Sequence, residues 1–229
     1  MDLFEAIVER RSIRKFTDEP VYWGDVVKII EAGMHAPSSG NLQNWRFVII
    51  TDEEKKKQIA EACVQQYWIA KAPVIIVVCS DMEKIRKFYG IRGERLYAIQ
   101  NCAAAIQNML LTAHSLGLGS CWVGAFEENS IQRIIGNPDS VRIEAVLPIG
   151  HPDEKPSPPS INTLESTCFF ERWGNRIKDI EGVLWNYNIG GKAVASAKKG
   201  VNSISKYGKK LVEKISEKIK NKKQHKKEV

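Results

Sequence analysis

Long apolar runs are missing from this sequence. The longest, residues 72–79, is far too short to cross a bilayer. The start, Met1-Asp2-Leu3-Phe4-Glu5, carries no apolar signal core. Metal-binding and disulfide patterns are missing too. The five cysteines (Cys63, Cys79, Cys102, Cys121, Cys168) are odd in number and widely spaced, with no C-x-x-C, which argues against a zinc ribbon or a disulfide framework. The expectation is reduced thiols in a cytoplasmic protein. The four histidines (His35, His114, His151, His225) form no H-x-x-x-H or H-E-x-x-H, so no metal centre is expected. There is no G-x-G-x-x-G after a first strand. The nearest approach, Gly117-Leu118-Gly119-Ser120-Cys121-Trp122, follows a helical pattern instead, which argues against a Rossmann nucleotide fold. Internal repeats are absent as well.

What is present is enough chain for one domain with a substantial core: 229 residues, 43% hydrophobic and 27% charged. The net charge of +7 is unevenly placed. Residues 191–229 hold thirteen Lys against three acidic residues, a local +10, which leaves the first 190 residues mildly acidic at −3. A basic charge confined to one end argues against nucleic-acid binding by the body of the chain. We therefore divide the sequence into a domain over 1–190 and a Lys-rich tail over 191–229. In the tail Val201, Ile204, Leu211, Val212, Ile215 and Ile219 fall on one helical face with lysines around the rest. Over 201–220 this reads either as an amphipathic helix for an anionic membrane surface or partner groove, or as a solubilising or dimer-packing helix.

Apolar spacing predicts helices over 2–9, 25–35, 52–64, 95–116 and 129–135, and strands over 45–50, 73–79, 120–123 and 142–149. In the second helix Val26, Val27, Ile29, Ile30 and Met34 form the expected buried side. In the long fourth helix that role falls to Ile99, Cys102, Ile106, Met109, Leu110 and Ala113, with small residues that suit a dimer interface. The unbroken β-branched run at 73–79 predicts a central strand buried on both faces. Pro152, Pro156, Pro158 and Pro159 predict an extended crossing segment, and no insertion is read between 80 and 94. The order gives an α+β or mixed α/β layout, and the α+β class is the expectation.

Two stretches carry chemistry. Arg10-Arg11-Ser12-Ile13-Arg14-Lys15 gathers three guanidinium forks, an ammonium and a hydroxyl, the donors that phosphate oxygens require. Pro37-Ser38-Ser39-Gly40-Asn41-Leu42-Gln43 combines small residues, which admit close backbone approach, with amides suited to the edge of a heteroaromatic ring. Two readings stand: halves of one site for a phosphorylated, ring-bearing cofactor, or a solvated basic turn followed by an ordinary polar loop. Trp45 and Phe47 begin a strand and read as core; Cys121 reads as a buried structural thiol.

The order of four motifs, Arg10-Arg11-Ser12-Ile13-Arg14-Lys15-Phe16, then the stretch from Ala36 to Phe47, then Gly119-Ser120-Cys121-Trp122-Val123-Gly124-Ala125-Phe126, then Leu147-Pro148-Ile149-Gly150-His151-Pro152, resembles the FMN-dependent nitroreductase family over roughly residues 1–160. The resemblance implies a three-layer fold, a mixed and mostly antiparallel sheet flanked by helices, and an interlocked homodimer whose sites are shared between chains. It implies FMN as cofactor, NAD(P)H as co-substrate, and ping-pong hydride transfer to a nitroaromatic, quinone or related small acceptor. Arg10, Ser12 and Arg14 would bind the phosphate and ribityl end, with Arg11 in a cofactor-contacting position. Pro37, Ser38, Ser39, Asn41 and Gln43 would approach the ring from the other subunit. Val123 and Gly124 would offer backbone N–H groups to its N5 edge. The family's basic residue after the proline segment has no counterpart in 159–165, and Arg172 or Arg176 are the candidates to replace it. No side chain stands out as acid, base or nucleophile, in keeping with chemistry carried by a flavin. The rival readings are a family relative with different flavin chemistry, such as reductive dehalogenation or flavin fragmentation, whose usual lid has no clear counterpart between 80 and 94, and a non-catalytic flavin-binding sensor or adaptor acting through the basic tail.

Overall fold

The run Val74-Ile75-Ile76-Val77-Val78-Cys79 is buried throughout because it lies between two neighbours in the sheet and between two helical layers. Strand residues alternate faces. Val74, Ile76 and Val78 therefore enter one core cluster, while Ile75, Val77 and Cys79 enter another. Both faces being apolar erases the polar alternation, which is why the sequence there reads as continuous.

The computed structural model describes residues 1–176. By chain contacts the protein divides into two compact units, Met1–Pro159 and Ser160–Val229. In the first unit the order is α1 (Leu3–Glu9), α2 (Trp23–Met34), β1 (Trp45–Ile50), α3 (Glu53–Ala62), β2 (Val74–Asp81), α4 (Met82–Arg92), α5 (Ala98–Ser115), β3 (Gly119–Ser120), α6 (Glu128–Ile135) and β4 (Val141–Gly150). The sheet has the order β1-β2-β4-β3 with every neighbouring pair antiparallel. Among the described residues the one parallel pairing is the isolated bridge Ser12–Ser120. Helices α2 and α5 supply the layer over Val74, Ile76, Val78, Ala145, Leu147 and Ile149, and α3 and α6 supply the opposite one. This is the α+β three-layer arrangement. A bulge in the β2–β4 ladder, where Val78 faces Ala145 but Cys79 faces Ile143, shifts the alternation so that Ile143 joins the α3–α6 side. The residue between them, Glu144, accepts hydrogen bonds from Ser80 Oγ at 2.6 Å and from Arg142.

In the second unit the described part holds a single turn of helix, α7 (Leu164–Thr167), and a bridge between Phe169 and Arg176, with the rings of Phe169 and Trp173 4.6 Å apart. The Lys-rich tail 191–229 and the helix expected at 201–220 lie outside the described residues.

Several expectations are revised. Val27 and Met34 of α2 are exposed at 40% and 53%, and Ile99 of α5 at 47%. The apolar face of α1 is also bare: Leu3, Phe4, Ile7 and Val8 are 49–73% exposed. Helical spacing placed these residues on one side of each helix; the described residues leave that side open. The interval 80–94, for which no helix is predicted, folds as α4, broken at Gly90 (φ +54°) and continued through a wide turn at Gly93–Tyr97 into α5.

Candidate functional site

Helix α1 starts on a reciprocal cap, Asp2 accepting from the Glu5 N–H at 2.8 Å and Glu5 accepting from the Asp2 N–H at 3.2 Å. It ends at Arg10. The Arg11 guanidinium turns back, donating from Nη1 to the carbonyls of Val8 (2.8 Å) and Arg10 (2.9 Å). That places a cation on the negative end of the helix, so Arg11 serves the fold. The chain then runs extended between β3 and the segment after β4. Ile13 N–H donates to Ser120 O, Thr17 N–H to His151 O and Asp153 N–H to Lys15 O, each at 3.0 Å. Ile13 and Phe16 are buried with Ala72 and Trp68. The fit is tight: a Cβ on Gly119 would stand 2.9 Å from Ile13 Cβ.

The polar side chains of this segment point elsewhere. The Arg14 guanidinium lies 5.9 Å from the centre of the Trp68 ring. Burial raises the Cys121 pKa, while Arg14, the Ser12 hydroxyl and Arg10 pull it down. Burial alone lifts the Cys63 thiol to about 12, and Cys79 reaches about 12 through burial with a lesser contribution from Glu144. The buried thiols are inert at neutral pH. Arg46, Arg86, Arg133 and Arg142 each pair with a carboxylate; among the described residues Arg10, Arg11 and Arg14 do not. Near them, burial lowers the pKa of His114 at the end of α5, Arg10 and Arg11 lower it further, and Glu9 opposes. Its Nε2 is buried with no partner among the described residues.

Beyond Ser120 and Cys121 the backbone reaches Val123 and Gly124. Val123 exchanges both backbone hydrogen bonds with Val146, each 3.0 Å. Its N–H is therefore committed to the sheet. Gly124 is exposed, and the only atom near the position of a Cβ is Trp122 Nε1 at 3.9 Å, so its backbone is open to close approach.

The 37–43 loop is a separate construction. Gly40, Asn41 and Gln43 have φ of +56°, +55° and +49°. The left-handed turn is held by Asn101 of α5, whose Oδ1 accepts from Ser39 N–H (3.0 Å) and Ser39 Oγ (3.2 Å) and whose Nδ2 donates to the buried Asn44 Oδ1 at 2.7 Å. Ser38 Oγ accepts from Gln43 N–H at 3.1 Å, and Gln43 Nε2 donates to Asn41 Oδ1 at 2.9 Å. Pro37, Asn41 and Gln43 are exposed. The last two line an open cavity of about 480 Å³ with Glu31, Met34, His35 and Ala36. Gly40 is needed twice: its φ is left-handed, and any Cβ would stand 2.5 Å from the Tyr89 hydroxyl of α4.

The structure thus brings Arg10, Ser12 and Arg14 together with the 120–124 backbone, and sets the 37–43 loop apart. Asn101 holds that loop near the start of α5, while the basic segment lies by His114 near its end. Thirteen residues at about 1.5 Å rise put them about 20 Å apart along the helix. Sequence reasoning missed Asn101, His114, Tyr89 and Glu154. For Asn101 a signal existed, since it shares the apolar stripe of Ala98, Cys102 and Ala105.

Against known proteins, the Nitroreductase family profile matches residues 7–71 and 62–151. A protein of Methanothermobacter thermautotrophicus provisionally named an NADH dehydrogenase/NAD(P)H nitroreductase is 38% identical over 162 residues, 68% of this chain and 80% of that one. An FMN reductase [NAD(P)H] of Bacillus subtilis is 32% identical over 168 residues, 67% of each chain. Among solved structures, a nitroreductase family protein from Clostridium novyi superposes with a TM-score of 0.62 at 27% identity, covering 78% of this chain and 98% of its own.

Proposed function

Since the chain belongs to the nitroreductase family, we propose that it holds FMN and works as an NAD(P)H-dependent oxidoreductase, reducing a nitroaromatic, quinone or related small acceptor. Oxidation of NAD(P)H and reduction of the acceptor take place in turn, at one site, in ping-pong order.

The observation that carries this reading is a cationic cluster whose guanidinium groups form no salt bridge among the described residues. Three guanidinium groups within five residues, none facing a carboxylate among the described residues, with a hydroxyl between them, fit a phosphate monoester. With Arg11 occupied at the end of α1, the phosphate contacts fall to Arg10, Ser12 and Arg14. With the Val123 N–H bonded to Val146, the donor toward the ring edge is the Gly124 N–H. Bound FMN supplies the hydride-accepting and hydride-donating ring; the chain orients it, and none of its side chains needs to act as acid or base. Arg172 and Arg176, the candidates for the missing basic residue, are exposed in the second unit.

We read the active unit as a homodimer. Separation of the loop from the basic segment by the length of α5 supports a site completed by Pro37, Ser38, Ser39, Asn41 and Gln43 of a second copy. The bare apolar face of α1 supports it too, as a surface for that copy to cover. Among the described residues no helix is long and apolar enough to cross a membrane. The lysine-flanked apolar face of 201–220 supports peripheral contact with an anionic lipid surface. The test of turnover is steady-state oxidation of NADH and NADPH with a quinone or nitroaromatic acceptor. Parallel double-reciprocal lines are expected, and the absence of acceptor-dependent oxidation would overturn the enzymatic reading.

A further inference from the structure

We propose that Glu154, four residues beyond the last strand, is a positioning residue for the cofactor phosphate, a role that rests on the FMN reading above. One carboxylate oxygen, Glu154 Oε1, accepts from the backbone N–H of both Arg14 and Lys15, the latter at 3.1 Å. Two successive amides converging on one anion fix the local backbone in a narrow conformation. The segment is otherwise tied at Ile13, on the β3 side, and at Lys15 and Thr17, on the side of residues 151–153. Between those ties the backbone N–H of Arg14 has no other partner among the described residues, and Glu154 supplies it.

The consequence falls on the phosphate donors. Ser12 and Arg14 flank Ile13, and the direction of their side chains follows the backbone that Glu154 holds. Both amides in the contact are exposed, so water can replace the carboxylate and the fold does not depend on it. What is lost without Glu154 is orientation of the donors. The contact also brings a negative charge to the phosphate seat: Glu154 acts on the Cys121 thiol in opposition to Arg14 and Arg10. Glutamine keeps an acceptor oxygen and removes that charge. Alanine removes both, and aspartate keeps the charge while withdrawing the oxygen by one methylene.

The experiment measures affinity for FMN and for riboflavin, which has the ring and no phosphate, by fluorescence quenching on the full chain and on E154A, E154Q and E154D. The expected result is a loss of at least tenfold in FMN affinity for E154A, riboflavin affinity within twofold of wild type, and FMN affinity of E154Q equal to or above wild type. E154D should show the same FMN-specific loss as E154A, and it carries the test if E154A does not fold. Unchanged FMN affinity in E154A and E154D, equal loss of both ligands, or a failure of E154Q to rescue would each overturn the proposal. A wild-type chain that binds neither ligand would instead overturn the cofactor reading, and this role with it.

Discussion

Pairing two different crippled chains gives the sharpest test of the shared site. Arg10→Ala with Arg14→Ala strips the proposed phosphate seat at one end of α5. Asn41→Ala with Ser39→Trp blocks the loop at the other end, where Ser39 packs on Asn101 through two contacts of 3.0 and 3.2 Å and leaves no room for an indole. Each double mutant as a homodimer carries one lesion in both sites. The removed charge-assisted bonds are worth about 1.5–3 kcal/mol each, enough to empty the sites at micromolar FMN. If the site joins the basic segment of one chain to the loop of its partner, a heterodimer gathers both lesions into one site and leaves the other intact. Random pairing makes half the dimers mixed, with half their sites whole, so recovery should approach about a quarter of wild-type activity per chain. The two mutants, carrying different tags, are unfolded, mixed and refolded, and NAD(P)H oxidation is measured beside native mass spectrometry. Heterodimers that form and remain inactive would mean that one chain builds the whole site, against the separation of about 20 Å along α5.

Three further outcomes are expected. Gly119→Ala pushes a methyl to within 2.9 Å of Ile13 and should cost about 1–3 kcal/mol in denaturant unfolding while weakening FMN retention, since it moves the basic segment; a neutral effect on both would refute the tight packing. His114, held neutral by burial with Arg10 and Arg11 beside it, takes up a proton more readily in the unfolded chain. Its contribution should be complete above its ordinary pKa of 6.5 and lost as pH falls below that value; His114→Gln should flatten the stability slope there, and identical slopes would refute it. Truncation after Gly190 should leave FMN binding intact and abolish sedimentation with phosphatidylserine vesicles, and equal sedimentation of both forms would remove the membrane contact.

The sequence carried the sheet and the order of elements because burial on both faces leaves a mark: residues 73–79 can hardly be anything but an inner strand, and β1 runs over the residues its alternating aromatics and β-branches predict. Helix α4 was not legible, because Met82–Arg92 is polar on most sides and breaks at Gly90, so no apolar stripe announces it. Spacing also cannot separate a covered helix face from an open one, which is why Val27, Met34 and Ile99 read as core and stand exposed. At the candidate site, residue types suggest donors, yet backbone commitments exist only in three dimensions: the Val123 N–H is used by Val146, and the Arg11 Nη1 by the end of α1.

The central claim is that Arg10, Ser12 and Arg14 form the phosphate seat of a flavin site, and the most direct measurement is the absorbance spectrum of the purified chain, followed by chromatography of what it releases on denaturation. A yellow protein that releases FMN, and an Arg10→Ala, Arg14→Ala variant that is colourless yet folded, is the predicted result. A colourless wild-type protein that cannot be reconstituted with FMN, or a double variant that retains it fully, would contradict the account.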